Sequence, residues 1–71
     1  MNQDQLDFCI FLFYAISARL GMLTPVVYAH LKDSNILDGY ILPCYNVLHT
    51  MGEEALVDDL TGLMKEKGIL S

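Results

Sequence analysis

Apolar residues fall along this chain in four blocks, separated by glycine, proline or short polar runs. Each block carries the spacing of a helix rather than the alternation of a strand. The first block predicts a helix from Gln3 to Leu20. Asn2 is placed to cap it, with Gln5 three positions on as in a capping box. Asp4 and Asp7 suit the positive end of the macrodipole, Arg19 suits the negative end, and Gly21 fits the left-handed position that ends a helix. Apolar side chains run almost all round it. Leu6, Cys9, Ile10, Phe13, Ile16 and Leu20 cover one side, and Phe8, Phe11, Leu12 and Tyr14 cover the rest. A helix apolar all round is normally buried all round. In so short a chain, one side is expected to pack inside and another, carrying Phe8, Phe11 and Tyr14, against a second chain.

The second block opens at Thr24-Pro25, read as a cap residue followed by a proline in the first turn. It carries Val26, Val27, Tyr28, Ala29 and Leu31, and fades at Asp33-Ser34-Asn35. The third lies between Asp38-Gly39 and His49, with Asp38 as the candidate cap and Ile41, Leu42, Cys44, Tyr45, Val47 and Leu48 as its apolar surface. Pro43 is tolerated in a first turn but not deeper, so this helix starts late or opens irregularly. The fourth block reads as the clearest. Thr50-Met51-Gly52-Glu53 has the spacing of a capping box, and Glu53 and Glu54 stand at the start with Lys65 and Lys67 at the end. Leu56, Val57, Leu60, Leu63 and Met64 form its stripe, and Gly68-Ile69 suits a Schellman ending. The expected fold is all-α: one domain over residues 1–71, a compact bundle of about four short helices.

Size and composition bear on what such a bundle does. Seventy-one residues bury only about 60% of the surface exposed by the unfolded chain, so the core is thin. Small domains compensate with disulfides, metals or oligomerisation. Cys9 and Cys44 lie in apolar stretches outside any CxxC or CxxH pattern and read as core thiols. That leaves oligomerisation. With 54% apolar and only 18% charged residues and a mean hydropathy of +0.37, a monomer exposes apolar patches, which mark association sites.

The net charge of −5, with Arg19, Lys32, Lys65 and Lys67 as the only basic residues, argues against nucleic acid and against anionic membranes. The most apolar run, Phe8 to Ala18, falls short of the roughly 20 residues that span a bilayer. Acidic residues precede it where an export signal needs positive charge. A cytoplasmic location is expected.

No catalytic set is legible. His49, next to Thr50, reads as a hinge whose ring satisfies a carbonyl ending the third helix; the alternative is a general base, as imidazole titrates near neutral pH. No serine, cysteine or carboxylate is placed as its partner. His30 has no ligand at helical spacing, so no zinc site is read there. Asp58 and Asp59, with Glu53 and Glu54, read as a solvated acidic face, consecutive aspartates on a helix pointing in different directions. No cofactor and no metal is expected, and the chain is read as non-enzymatic.

The stretch from Tyr45 to Leu60, YNVLHTMGEEALVDDL, resembles the hallmark of a family of small bacterial domains of unknown function. That hallmark is tyrosine, two residues, Leu-His-Thr, then glycine, glutamate and an apolar-acidic helix. Tyr45, Leu48, His49, Thr50 and Glu53 match it. The resemblance extends over most of the chain, and Pro43-Cys44 departs from the polar residues usual there. Members resemble accessory proteins encoded near ADP-ribosyltransferase-like toxin genes, which implies an antitoxin-like or toxin-partner role. The leading expectation is therefore a protein-interaction module, dimeric through its first helix, that regulates a neighbouring toxin or enzyme. A small helix-turn-helix regulator built on the second and third helices is the alternative.

Overall fold

The computed structural model describes residues 1–70, and among these every regular element is helical. Helix α1 spans Gln3–Leu20 and α2 Thr24–Asp33; a π-helical segment spans Leu37–Ile41; α3 is the single turn Tyr45–Leu48; and α4 spans Glu53–Glu66. The all-α reading holds. The third predicted helix is the one that divides, into the π segment and α3.

Helix α1 begins as its sequence dictates. The Asn2 side chain accepts from the Gln5 N–H at 2.8 Å, and the Gln5 side chain accepts from the Asn2 N–H at 3.1 Å, so two otherwise orphaned donors are satisfied reciprocally. It ends at Gly21, left-handed at φ 65°, where an L side chain would be strained. The chain then turns by 108° into α2. Leu23, not Thr24, occupies the cap position of α2, and no side chain caps it. Helical backbone starts at Thr24 itself, one residue earlier than predicted, which keeps Pro25 within the first turn, where its missing N–H costs nothing.

Between α2 and α3 the chain widens. The Leu42 N–H reaches back five residues to the Leu37 carbonyl at 3.0 Å, and only at Cys44, bonded to Tyr40, does four-residue spacing return. Pro43 lies between them. In a regular helix its ring would crowd the carbonyl four residues back, and the wide turn accommodates it. Asp38 is not a cap: its carboxylate pairs with Lys32 at 2.7 Å.

The expected capping box of α4 is not formed. Gly52 is the N-cap residue, in extended conformation with no side-chain bond, so Glu53 is the first helical residue rather than the third. The Thr50 hydroxyl instead donates to the Val47 carbonyl at 2.7 Å and closes α3. The far end of α4 is a complete Schellman motif: Gly68 is left-handed at φ 78°, its N–H bonds to the Lys65 carbonyl, and the Ile69 N–H bonds to Met64, both at 3.0 Å.

Helix α1 packs against α2 and α4, and α2 against the π segment. One core results, with Leu12, Ile16, Val27, Leu31, Ile41, Leu60 and Met64 at its fully screened centre. The face of α1 that turns inward is Cys9, Leu12 and Ile16. This corrects the expected division of the helix, since Leu12 is inside while Leu6 and Ile10 are exposed. The accessible surface is 4273 Å², against roughly 4,500 Å² for a compact monomer of this mass. The chain is closed as tightly as others its size, so its exposed apolar residues reflect sequence, not loose packing.

Candidate functional site

The motif residues occupy the α3–α4 connection, and most already have partners inside the chain. The Tyr45 ring takes the edge of Phe8 at 5.4 Å and stacks on His49 at 4.7 Å and 18°, tying α3 to the first half of α1. Leu48 is buried in the core, and Thr50 closes α3. His49 is exposed, and among the described residues no hydrogen bond reaches its ring. The hinge role expected of it belongs to the neighbouring hydroxyl. Glu53 is exposed in the first turn of α4, where its charge complements the macrodipole. Among the described residues, no group of three His, Cys, Asp or Glu side chains is placed to hold a metal.

Asp58 and Asp59 of α4 diverge, as their spacing predicts, but each finds a partner. Asp58 pairs with Arg19 of α1, which pushes the guanidinium's pKa further up, first through their hydrogen bond. Asp59 accepts from the Tyr40 hydroxyl at 2.7 Å. That bond, aided by partial burial, raises the tyrosine's pKa to about 12. Between the π segment and α4 lies a cleft of about 580 Å³, with Tyr40, Asp58, Asp59, Gly62, Leu63 and Glu66 among its lining. The Tyr40–Asp59 link was not legible in the sequence, because the residues are 19 positions apart and only the wide turn aims Tyr40 at α4. Burial raises the pKa of the Cys9 thiol, and both cysteines are free, with Cys44 half-buried.

A different surface is left without partners. Leu6, Ile10, Phe11 and Tyr14 stand 43, 44, 43 and 63% exposed on α1. They are spaced by three, four and one residues, so they share the face opposite Cys9, Leu12 and Ile16. Of the residues expected at an interface, Phe11 and Tyr14 lie on this face, whereas Phe8 is half-buried against Tyr45. Leu6 and Ile10, assigned to the inner side by sequence, belong to it as well. Single exposed apolar residues are ordinary, but four on one helix face form a patch of the kind that marks association.

A family model described as "Protein of unknown function (DUF3791)" matches residues 7–67. The chain belongs to the DUF3791 family. Membership of a family of unknown function agrees with the expectation from the sequence at that level, and the match takes in both the α3–α4 connection and most of the exposed α1 face. No curated protein and no solved structure matches the chain. Within this DUF3791 domain, no described helix is long and apolar enough to cross a membrane.

Proposed function

We propose that this DUF3791 chain is a non-catalytic protein-interaction module of the bacterial cytoplasm, docking through the outer face of α1. On this reading it acts as an antitoxin-like or accessory regulator of a neighbouring toxin or enzyme. One observation carries the reading: Leu6, Ile10, Phe11 and Tyr14 lie on one face in a chain whose total surface is already that of a closed monomer. The motif residues support it in a different way. Tyr45, Leu48 and Thr50 serve the α3–α4 junction, which leaves His49 without the positioned partners that catalysis needs.

The alternative, a DNA-binding helix-turn-helix, draws less support. Two of the four cations, Arg19 and Lys32, are held by Asp58 and Asp38. The segment that would have to read the major groove is a π turn followed by a four-residue helix.

The test is rescue of growth. The protein is co-expressed with the product of each gene adjacent to its own that arrests growth when expressed alone, as wild type and as the double variant Ile10→Asp, Tyr14→Lys. Rescue by the wild type and failure of the equally folded variant is the expected result. Equal rescue by both removes the α1 face, and rescue by neither removes the regulatory role.

A further inference from the structure

We infer that the cleft between the π segment and α4 takes the guanidinium of an arginine side chain, presented by an extended segment of a partner protein. The inference goes beyond the α1 face and stands without it, because none of the cleft's lining comes from α1. At about 580 Å³ the cleft has the size of a ligand site. Asp59, Gly62 and Glu66 on its α4 wall are exposed, so it is an open seat for a side chain rather than an enclosed chamber.

Two glycines line the cleft, and the chain uses them differently. At Gly39 the missing side chain makes room for a residue of the protein itself: a Cβ there would stand 2.5 Å from the Asn35 carboxamide nitrogen. Gly62, inside α4, has no such neighbour within 4 Å. A glycine inside a helix is destabilising, and the fold draws nothing from this one. Its bare backbone leaves a gap in the cleft wall. Positions 59, 62 and 66 share one face of the helix, so a carboxylate stands on either side of the gap, the two about 10 Å apart along the axis.

The groups round the gap select a cation. Asp59 accepts one hydrogen bond, from Tyr40, and a carboxylate has further lone pairs to offer. Glu66 makes no ion pair among the described residues, and it stands in the last turn of α4, where the helix end adds negative potential. Asp58 counts for little, since Arg19 neutralises it. Lys67 is the one opposing charge in the lining. Leu63 offers apolar contact to an aliphatic stem, and Tyr40 brings an aromatic ring to the π-segment wall. A planar guanidinium both stacks on such a ring and forks onto a carboxylate, which an ammonium does not do.

Titration of the isotope-labelled protein with a blocked Gly-Gly-Arg-Gly-Gly peptide, followed by amide chemical shifts, tests this. The same peptide with citrulline or lysine in place of arginine is the control. Saturable shifts at Gly39, Tyr40, Gly62 and Leu63 are expected, with a dissociation constant of about 1 mM or tighter. Citrulline, which keeps the shape and loses the charge, should give none. Gly62→Leu should fold, being open on that side, and lose binding. Glu66→Gln should weaken binding about tenfold, and it carries the test should Gly62→Leu unfold. Lys67→Ala should strengthen binding about twofold. Absent saturation, or equal binding of the citrulline peptide, overturns the site. Lysine binding as tightly as arginine overturns the guanidinium, and a folded Gly62→Leu that binds like wild type overturns the gap as its seat. Ethylguanidinium binding as tightly as the peptide overturns the partner segment as its source. The titration involves no neighbouring gene product, so it is decided separately from growth rescue.

Discussion

Helices α1 and α4 are the two longest in the molecule, and they distribute apolar residues in opposite ways. Along α4 the division is clean. Leu56, Val57, Leu60, Thr61 and Met64 are buried, while Glu53, Glu54, Asp58, Asp59, Lys65 and Glu66 face out. The monomer accounts for nearly every residue of that helix. Along α1 the monomer uses only Cys9, Leu12 and Ile16 fully, and the apolar residues of the opposite side have no use within it. A helix whose sequence exceeds what its own fold requires points to a contact outside the chain. On the proposed reading, α1 carries the interaction and α4 the scaffold.

The sharpest way to break the contrast is to treat both sides of α1 alike. Leu12→Ala, at a position wholly screened from water, should cost about 2–5 kcal/mol in urea unfolding, a large part of a small domain's stability. Ile10→Ala, two residues away on the exposed side, should change monomer stability by no more than about 0.5 kcal/mol. If the two costs were equal, the outer face would be structural and the comparison would fail.

On α4, Gly62 is the residue the scaffold reading leaves unexplained. It sits mid-helix, and a Cβ built there would meet nothing within 4 Å. Gly62→Ala should therefore raise stability by about 0.5–1 kcal/mol. A smaller change is expected at the helix's entrance. Thr50→Ala loses one exposed hydrogen bond closing α3 and should cost about 0.5 kcal/mol. Glu53→Gln should leave that cost unchanged, because no capping box links the two residues.

The subtlest effect lies at high pH. The folded-state pKa of Tyr40 is raised to about 12, against an unfolded value near 10. The stabilisation is thus complete below pH 10 and disappears as pH rises through about 12. The melting-temperature gap between wild type and Tyr40→Phe should be constant from pH 7 to 9 and narrow above 10. A gap independent of pH would mean that the Asp59 bond does not persist in solution.

What was legible in the sequence was whatever depended on near neighbours. The capping box of Asn2 and Gln5, the left-handed ends at Gly21 and Gly68 and the stripe of α4 each involve residues within one or two turns, and each stands as read. Errors arose where one local signal had two uses. Thr50 satisfied the spacing of a cap for the following helix, but its hydroxyl served the preceding one. Asp38 had the chemistry of a cap and found Lys32 instead. On α1 the apolar content was legible but its partition was not. When nearly every position is apolar, periodicity cannot tell Leu12 from Ile10, and only the placement of α2 and α4 decides. His49 drew attention for its chemistry, yet its visible engagement is stacking on Tyr45.

The π segment has a consequence for how the chain tolerates changes in length. A turn closed by a five-residue bond holds one residue more than a regular turn. Deleting one residue among Leu37–Ile41 would let the turn tighten to regular spacing, at the cost of forcing Pro43 into helical register. Everything after it would then rotate by about 100° relative to α2. Tyr45 would leave Phe8, and the entry to α4 would swing away from α1. The segment thus sets the phase between the two halves of the domain, and natural variation in chain length should collect at the Gly21 turn and the chain ends rather than here.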